Sequence, residues 1–185
     1  MKMLPGMTVI NPCDYNQTKA ATIAIADHVG PVYLRFGRPK VPIFIPEDTP
    51  FEIGKALLLQ EGTDVSIFAT GHLVWEAVEA AKSLAEEGIS VELINIHTIK
   101  PLDNDSILSS VSKTKCVVTA EEHQIAGGMG ESIAQLLANN NPSPIEFVAV
   151  NDKFGESGKP ADLMKKYGLH SSDIIKATHR VLKRK

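Results

Sequence analysis

From Val65 to the C-terminus, apolar runs of strand length alternate with segments of helical period, and this alternation is the tightest constraint on the fold. Val65-Ser-Ile-Phe-Ala-Thr70 reads as an inner strand, rich in residues that suit a pleated, buried surface. After Gly71, the residues Leu73, Val74, Ala77, Val78, Ala81, Leu84 and Ala85 share one stripe of a helix that Gly88 stops. Ile89 to Ile96 is the next strand, Pro101 and Asp103 open a short helix through Val111, and Lys115 to Ala120 is a strand again. A helix over Gly130 to Asn139, a strand over Ile145 to Val150, and helices over Pro160 to Tyr167 and Ser172 to Lys183 complete the series. Ile53 to Leu59 precedes it as an edge strand that turns at Glu61-Gly62-Thr63 and runs antiparallel. Such an order predicts a three-layer α/β/α domain with a mostly parallel sheet from about residue 48 onward.

The front of the chain is different. Met7 to Ile10 is a short strand, and Asp14-Tyr-Asn-Gln17 is a variant of the capping box, opening a helix that ends at Gly30-Pro31. Val32 to Phe36 follows as a second strand, giving an incomplete βαβ unit. Its two strands are apolar on both faces, as in a buried parallel sheet, yet two strands cannot bury themselves. Residues 1–47 are therefore expected to be the tail of a larger domain plus a linker rich in proline, at Pro39, Pro42 and Pro46. The unit should pack on the rest of the chain or on a second copy.

The sequence has 185 residues, 43% hydrophobic, which is ample for a core. A formal net charge of -3 gives no basic surface for nucleic acid or acidic lipid. Cys13 and Cys116 lie far apart in or beside apolar runs and read as buried, reduced thiols. No apolar run suits a signal segment or a membrane span, so a soluble, cytoplasmic protein is expected.

Residues able to carry chemistry gather at strand ends, where open α/β sheets meet their ligands. Thr119-Ala-Glu-Glu-His-Gln-Ile-Ala-Gly-Gly-Met-Gly130 runs from a strand through two carboxylates and an imidazole into a glycine turn. If the strand extends that far, Glu121 and His123 share one face and Glu122 takes the other. The cluster suits an acid/base pair, a hydrogen-bonded polar group at a strand end, or a subunit contact; no third ligand stands at metal spacing. Gly127, Gly128 and Gly130 suit either an anion cradle at a helix start or a tight turn with close helix packing. The full dinucleotide pattern fails, because Ile133 stands where its last glycine would be. Arg35 and Arg38 bracket Gly37 where the second strand leaves its sheet, offering guanidinium forks to a phosphate or to ion pairs across the surface. His72, His97 and His123 each lie near a strand end and could line one crevice. Trp75 and Phe154 are assigned to core or interface.

Taken together, five motifs resemble the transketolase family of thiamine-diphosphate enzymes in its C-terminal section. They are Gly30-Pro-Val-Tyr-Leu-Arg-Phe-Gly-Arg-Pro39, Ala69-Thr-Gly-His72, His97-Thr-Ile-Lys-Pro-Leu-Asp103, Glu121-Glu-His123 with Gly127-Gly-Met-Gly130, and Phe154-Gly-Glu-Ser-Gly158. The resemblance implies that residues 1–47 are the end of the pyrimidine-binding domain with its linker, and 48–185 the transketolase C-terminal domain. It implies transfer of a two-carbon ketol unit between ketose and aldose phosphates, with thiamine diphosphate and Mg2+ in the complete homodimeric enzyme. It assigns Arg38, with Arg35 second, to the substrate phosphate. It places no catalytic, cofactor-binding or metal-ligating residue in this chain, which alone is expected to be inactive, to bind no cofactor, and to serve as a dimerisation and scaffolding unit beside the N-terminal part. The β subunits of 2-oxoacid dehydrogenases and deoxyxylulose-phosphate synthase share much of the pattern. A free-standing module that binds an anion or nucleotide is the reading from a different class.

Overall fold

A computed structural model describes residues 1–185. Its main sheet has five strands: β3 (Leu57–Gln60), β4 (Val65–Ala69), β5 (Val91–Asn95), β7 (Val117–Gln124) and β8 (Ile145–Val150). Their spatial order is β3-β5-β4-β7-β8. All neighbours run parallel except β3, which is antiparallel to β5 at the edge. Helices α2 (Leu73–Glu86) and α6 (Ser171–Leu182) bury Leu73, Leu84, Ile174 and Val181 with Ile67 and Ala69 on one face. Helices α3 (Asn104–Thr114) and α4 (Met129–Asn140) bury Ile107 and Ile133 with Phe68 and Ile94 on the other. The three layers and the single antiparallel edge are those expected. Between β8 and α6, α5 (Pro160–Lys166) is a short surface helix with no fully buried residue.

Every residue of β4 is buried, as befits a central strand covered on both faces. Its one polar member, Ser66, is satisfied by the hydroxyls of Ser110 and Thr114 on α3, both at 2.6 Å.

The front unit consists of β1 (Thr8–Ile10), α1 (Tyr15–Ala26) and β2 (Val32–Leu34), with β1 and β2 parallel. It packs on the rest of its own chain through a strand that the sequence pattern does not announce, β6 (Thr98–Lys100), which pairs antiparallel with β1. A second sheet, β2-β1-β6, results. The Asn11 amide donates to the His97 carbonyl at 2.8 Å beside this pairing. In contrast to the buried pair read from sequence, β2 is half-exposed, with Tyr33 outward.

Other boundaries move for local reasons. Helix α1 stops at Ala26 rather than reaching Gly30, since Pro31 pushes the residue before it out of helical geometry and Gly30 takes a positive φ of 138°. The edge strand starts at Leu57, later than Ile53, because Gly54 turns the chain with φ 89°. Helix α3 runs on to Thr114, and Lys115 caps it in the left-handed region instead of starting the next strand. Strand β7 continues four residues past Ala120, with its pairing to β8 shifting between Ala120 and Gln124. No helix is long and apolar enough to cross a membrane.

Asp14 joins the front unit to the linker. One carboxylate oxygen accepts from the Gln17 amide at 2.8 Å as the helix cap. The other accepts from the amides of Phe44 and Ile45 at 3.0 and 2.9 Å. The reciprocal arm of the box goes to the Cys13 amide, which donates to Gln17 Oε1. Phe44 in turn packs on Trp75, ring centroids 5.4 Å apart, which makes Trp75 a half-buried link between linker and α2. Phe154 belongs to no core: it is 99% exposed.

Candidate functional site

Strands β4 and β7 are parallel neighbours, but α2 leaves β4 toward one face of the sheet and α4 leaves β7 toward the other. Their carboxyl ends therefore form a topological switch point, where the diverging helices open a crevice. Gly71 and His72 follow β4, and Glu121, Glu122 and His123 are the end of β7. The front unit lies against this crevice. Gly71 sits so close to Asn11 that an added Cβ would be 2.5 Å from Asn11 Nδ2, and Arg35 Nη2 donates to the Glu122 carbonyl at 2.9 Å.

Because β7 extends through Gln124, its side chains alternate as anticipated. Glu121 and His123 line a small cavity of about 70 Å³ with Arg35 and Lys2. Glu122 and Gln124 line a larger cleft of about 590 Å³ with His72, Trp75 and Met164.

Glu121 is buried and turned onto the start of α4. Its oxygens accept from the Met129 and Gly130 amides at 2.7 and 2.8 Å, satisfying donors that a helix start leaves unpaired. Gly128 is glycine for this reason: a Cβ there would lie 2.4 Å from Glu121 Oε1. Burial raises the Glu121 carboxyl above its ordinary range, while the two amides, His123 and Lys2 pull the other way. The glycine turn thus holds a carboxyl that is the protein's own side chain, and the amides an external anion would use are taken.

Glu122 lies with Oε2 3.4 Å from His72 Nδ1. Hydrogen bonding to His72 is the main cause that holds its carboxyl below the ordinary range, opposed by burial and assisted by the His72 and Arg35 charges. His123 is exposed, its Nδ1 2.9 Å from the Gln124 carbonyl. His97 is buried against Phe51. The three histidines thus stand at the carboxyl edge of the neighbouring strands β5, β4 and β7 but do not line one crevice: His72 stands in the main cleft, His123 in the small cavity, and His97 is buried.

The two arginines separate clearly. Arg35 donates one bond, from Nη2 to the Glu122 carbonyl. Arg38 makes no ion pair and no side-chain hydrogen bond, and it stands in an open groove of about 450 Å³ with Tyr15, Phe36, Gly37, Lys40 and His72. Cys13 and Cys116 are free and buried, and desolvation pushes both thiols up.

An α/β unit of this order, with its crevice at β4/β7 and a βαβ unit docked there, is the architecture of a transketolase C-terminal section. Residues 54–174 match the model of the transketolase C-terminal domain, and the chain belongs to the transketolase family. Over its whole length it is 45% identical to the 6-deoxy-6-sulfo-D-fructose transketolase subunit of Clostridium sp. strain MSTE9, of which it spans 58%. It is 33% identical, again over its whole length, to an apulose-4-phosphate transketolase subunit of Phocaeicola vulgatus, spanning 59% of that protein. A solved split-gene transketolase, described as an inactive beta4 tetramer, is 42% identical and superposes with a TM-score of 0.96, covering 99% of this chain and 60% of that one. The chain thus spans less than two thirds of these relatives.

The family depends on thiamine diphosphate, whose diphosphate is held with a divalent cation. Mg2+ needs converging oxygen ligands in octahedral array. This chain gathers no group of three His, Cys, Asp or Glu side chains able to hold a metal ion, and Glu121 is turned onto α4. Its residues build no metal site for that group by themselves.

Proposed function

We propose that this chain is the C-terminal part of a transketolase that moves a two-carbon ketol unit between ketose and aldose phosphates, with Arg38 receiving the sugar's terminal phosphate. The observation that carries this is the unpaired Arg38 guanidinium beside a switch-point crevice, at the position that best matches the family's phosphate-binding arginine. A guanidinium fork pairs bidentately with a tetrahedral oxyanion, and a sulfonate, as on the substrate named for the Clostridium relative, would serve as well as a phosphate. The chain by itself is inactive in this reading. Thiamine diphosphate and Mg2+ are held by the remainder of the enzyme, and the chain supplies scaffold and dimer contacts. Exposed apolar side chains concentrated on the front unit and linker, namely Tyr15, Ile23, Val29, Phe36 and Ile43, support a partner surface there.

In the complete enzyme, Arg38→Ala is expected to raise KM for ribose 5-phosphate about tenfold or more while leaving KM for unphosphorylated ribose nearly unchanged. Equal KM values for wild type and variant with both acceptors would remove Arg38 from the phosphate site.

A further inference from the structure

The segment Arg35-Phe-Gly-Arg38 is gripped from both sides by one residue of β7. Arg35 donates to the backbone carbonyl of Glu122, and the Glu122 carboxylate faces His72 Nδ1 at 3.4 Å. The His72 ring is seated directly on the backbone of Gly37: a Cβ at that position would lie 2.0 Å from His72 Cε1 and 2.3 Å from Nε2. No side chain fits between them. Gly37 is therefore required by this close approach, at a position where no positive φ calls for glycine. One residue on, Arg38 precedes Pro39, which confines the Arg38 backbone to extended geometry. The His72 side chain is only 14% exposed, so its ring is an ordered surface rather than a solvated one.

We infer that His72, oriented by Glu122 and packed on Gly37, is a positioning residue that sets where the Arg38 guanidinium meets the substrate's oxyanion. The Arg35 amide donates to the Ile10 carbonyl at 2.8 Å, His72 packs on the backbone of Gly37, and Pro39 restricts the backbone of Arg38, so the main chain that carries the Arg38 guanidinium is held on both sides. Fixing it in place lowers the ordering cost of binding, which appears in KM for a substrate carrying the oxyanion and not in the chemical step. The inference rests on the assignment of Arg38 made above.

The test uses the complete enzyme, with KM and kcat for ribose 5-phosphate and for ribose measured in parallel. Arg38→Ala is the reference that establishes the phosphate site. His72→Ala is expected to raise KM for ribose 5-phosphate about fivefold, with KM for ribose and kcat changing less than about twofold. Gly37→Ala drives a methyl into the ring and is expected to cost more than His72→Ala. The double variant Gly37→Ala/His72→Ala is expected to match His72→Ala within about twofold, because the methyl enters the space the ring has left, a non-additivity that unrelated damage would not produce. If Arg38→Ala raises KM selectively and His72→Ala does not, the positioning role is overturned while the phosphate site stands. If His72→Ala raises both KM values and lowers kcat together, the contact is structural only and the inference is overturned. If Arg38→Ala itself shows no preference between the two acceptors, the phosphate assignment fails and the positioning role falls with it.

Discussion

Acidification from pH 7 to pH 5 is expected to remove about 2 kcal/mol of folding stability through His97 alone. The imidazole is 3% exposed, with its ring 4.3 Å from that of Phe51 and Nδ1 3.1 Å from Thr98 Oγ1. Desolvation lowers its pKa from 6.5 to about 4, and the Asp103 charge only partly offsets this. The unfolded chain therefore takes up a proton near pH 6.5 that the folded chain refuses until about pH 4. Stability from this group is fully present above pH 6.5 and is lost as pH falls through that window. The whole gap amounts to about 3 kcal/mol at ~1.4 kcal/mol per pH unit, of which about 2 falls between pH 7 and 5. Urea unfolding followed by circular dichroism at pH 7, 6 and 5, at one protein concentration, measures it for wild type and His97→Gln. The wild-type loss should exceed that of the variant by about 2 kcal/mol, since every other titrating group is common to both. Parallel pH profiles would refute the reasoning, because they would mean that His97 is accessible to protons in the folded state.

Two further substitutions test the joints of the fold. Asp14→Ala removes the α1 cap and leaves the Phe44 and Ile45 amides without their acceptor, so a loss of about 3 kcal/mol is expected in the same urea assay, with proteolysis of the linker accelerated. Glu121→Ala orphans the Met129 and Gly130 amides at the start of α4 and should cost about 2–4 kcal/mol, whereas Glu121→Gln keeps one acceptor and should cost less, about 1–2. Amide hydrogen exchange at Met129 and Gly130 reads the change where it occurs.

What the chain's residues determine by themselves is local. Apolar runs of strand length and stripes of period 3.6 mark the strands and helices from β4 onward, since that signal needs only the few residues within one element. The Asp14 cap was legible because its partner amide lies three residues away. Opposite faces for Glu121 and Glu122 followed from strand alternation, and the five motifs pointed to the family that residues 54–174 confirm. The tertiary structure decided the rest, because the deciding partners are distant in sequence. Strand β6 exists through β1, about 90 residues earlier, and three residues carry too little pattern to announce it. Arg35 and Arg38 look alike in sequence; only the Glu122 carbonyl, 87 residues from Arg35, gives the one a partner that the other lacks. Likewise, nothing local distinguishes His97, shut in by Phe51, from His72, held open to the cleft by Glu122. A side chain's type limits what it can do, and the neighbours that folding brings from elsewhere in the chain select which of those things it does.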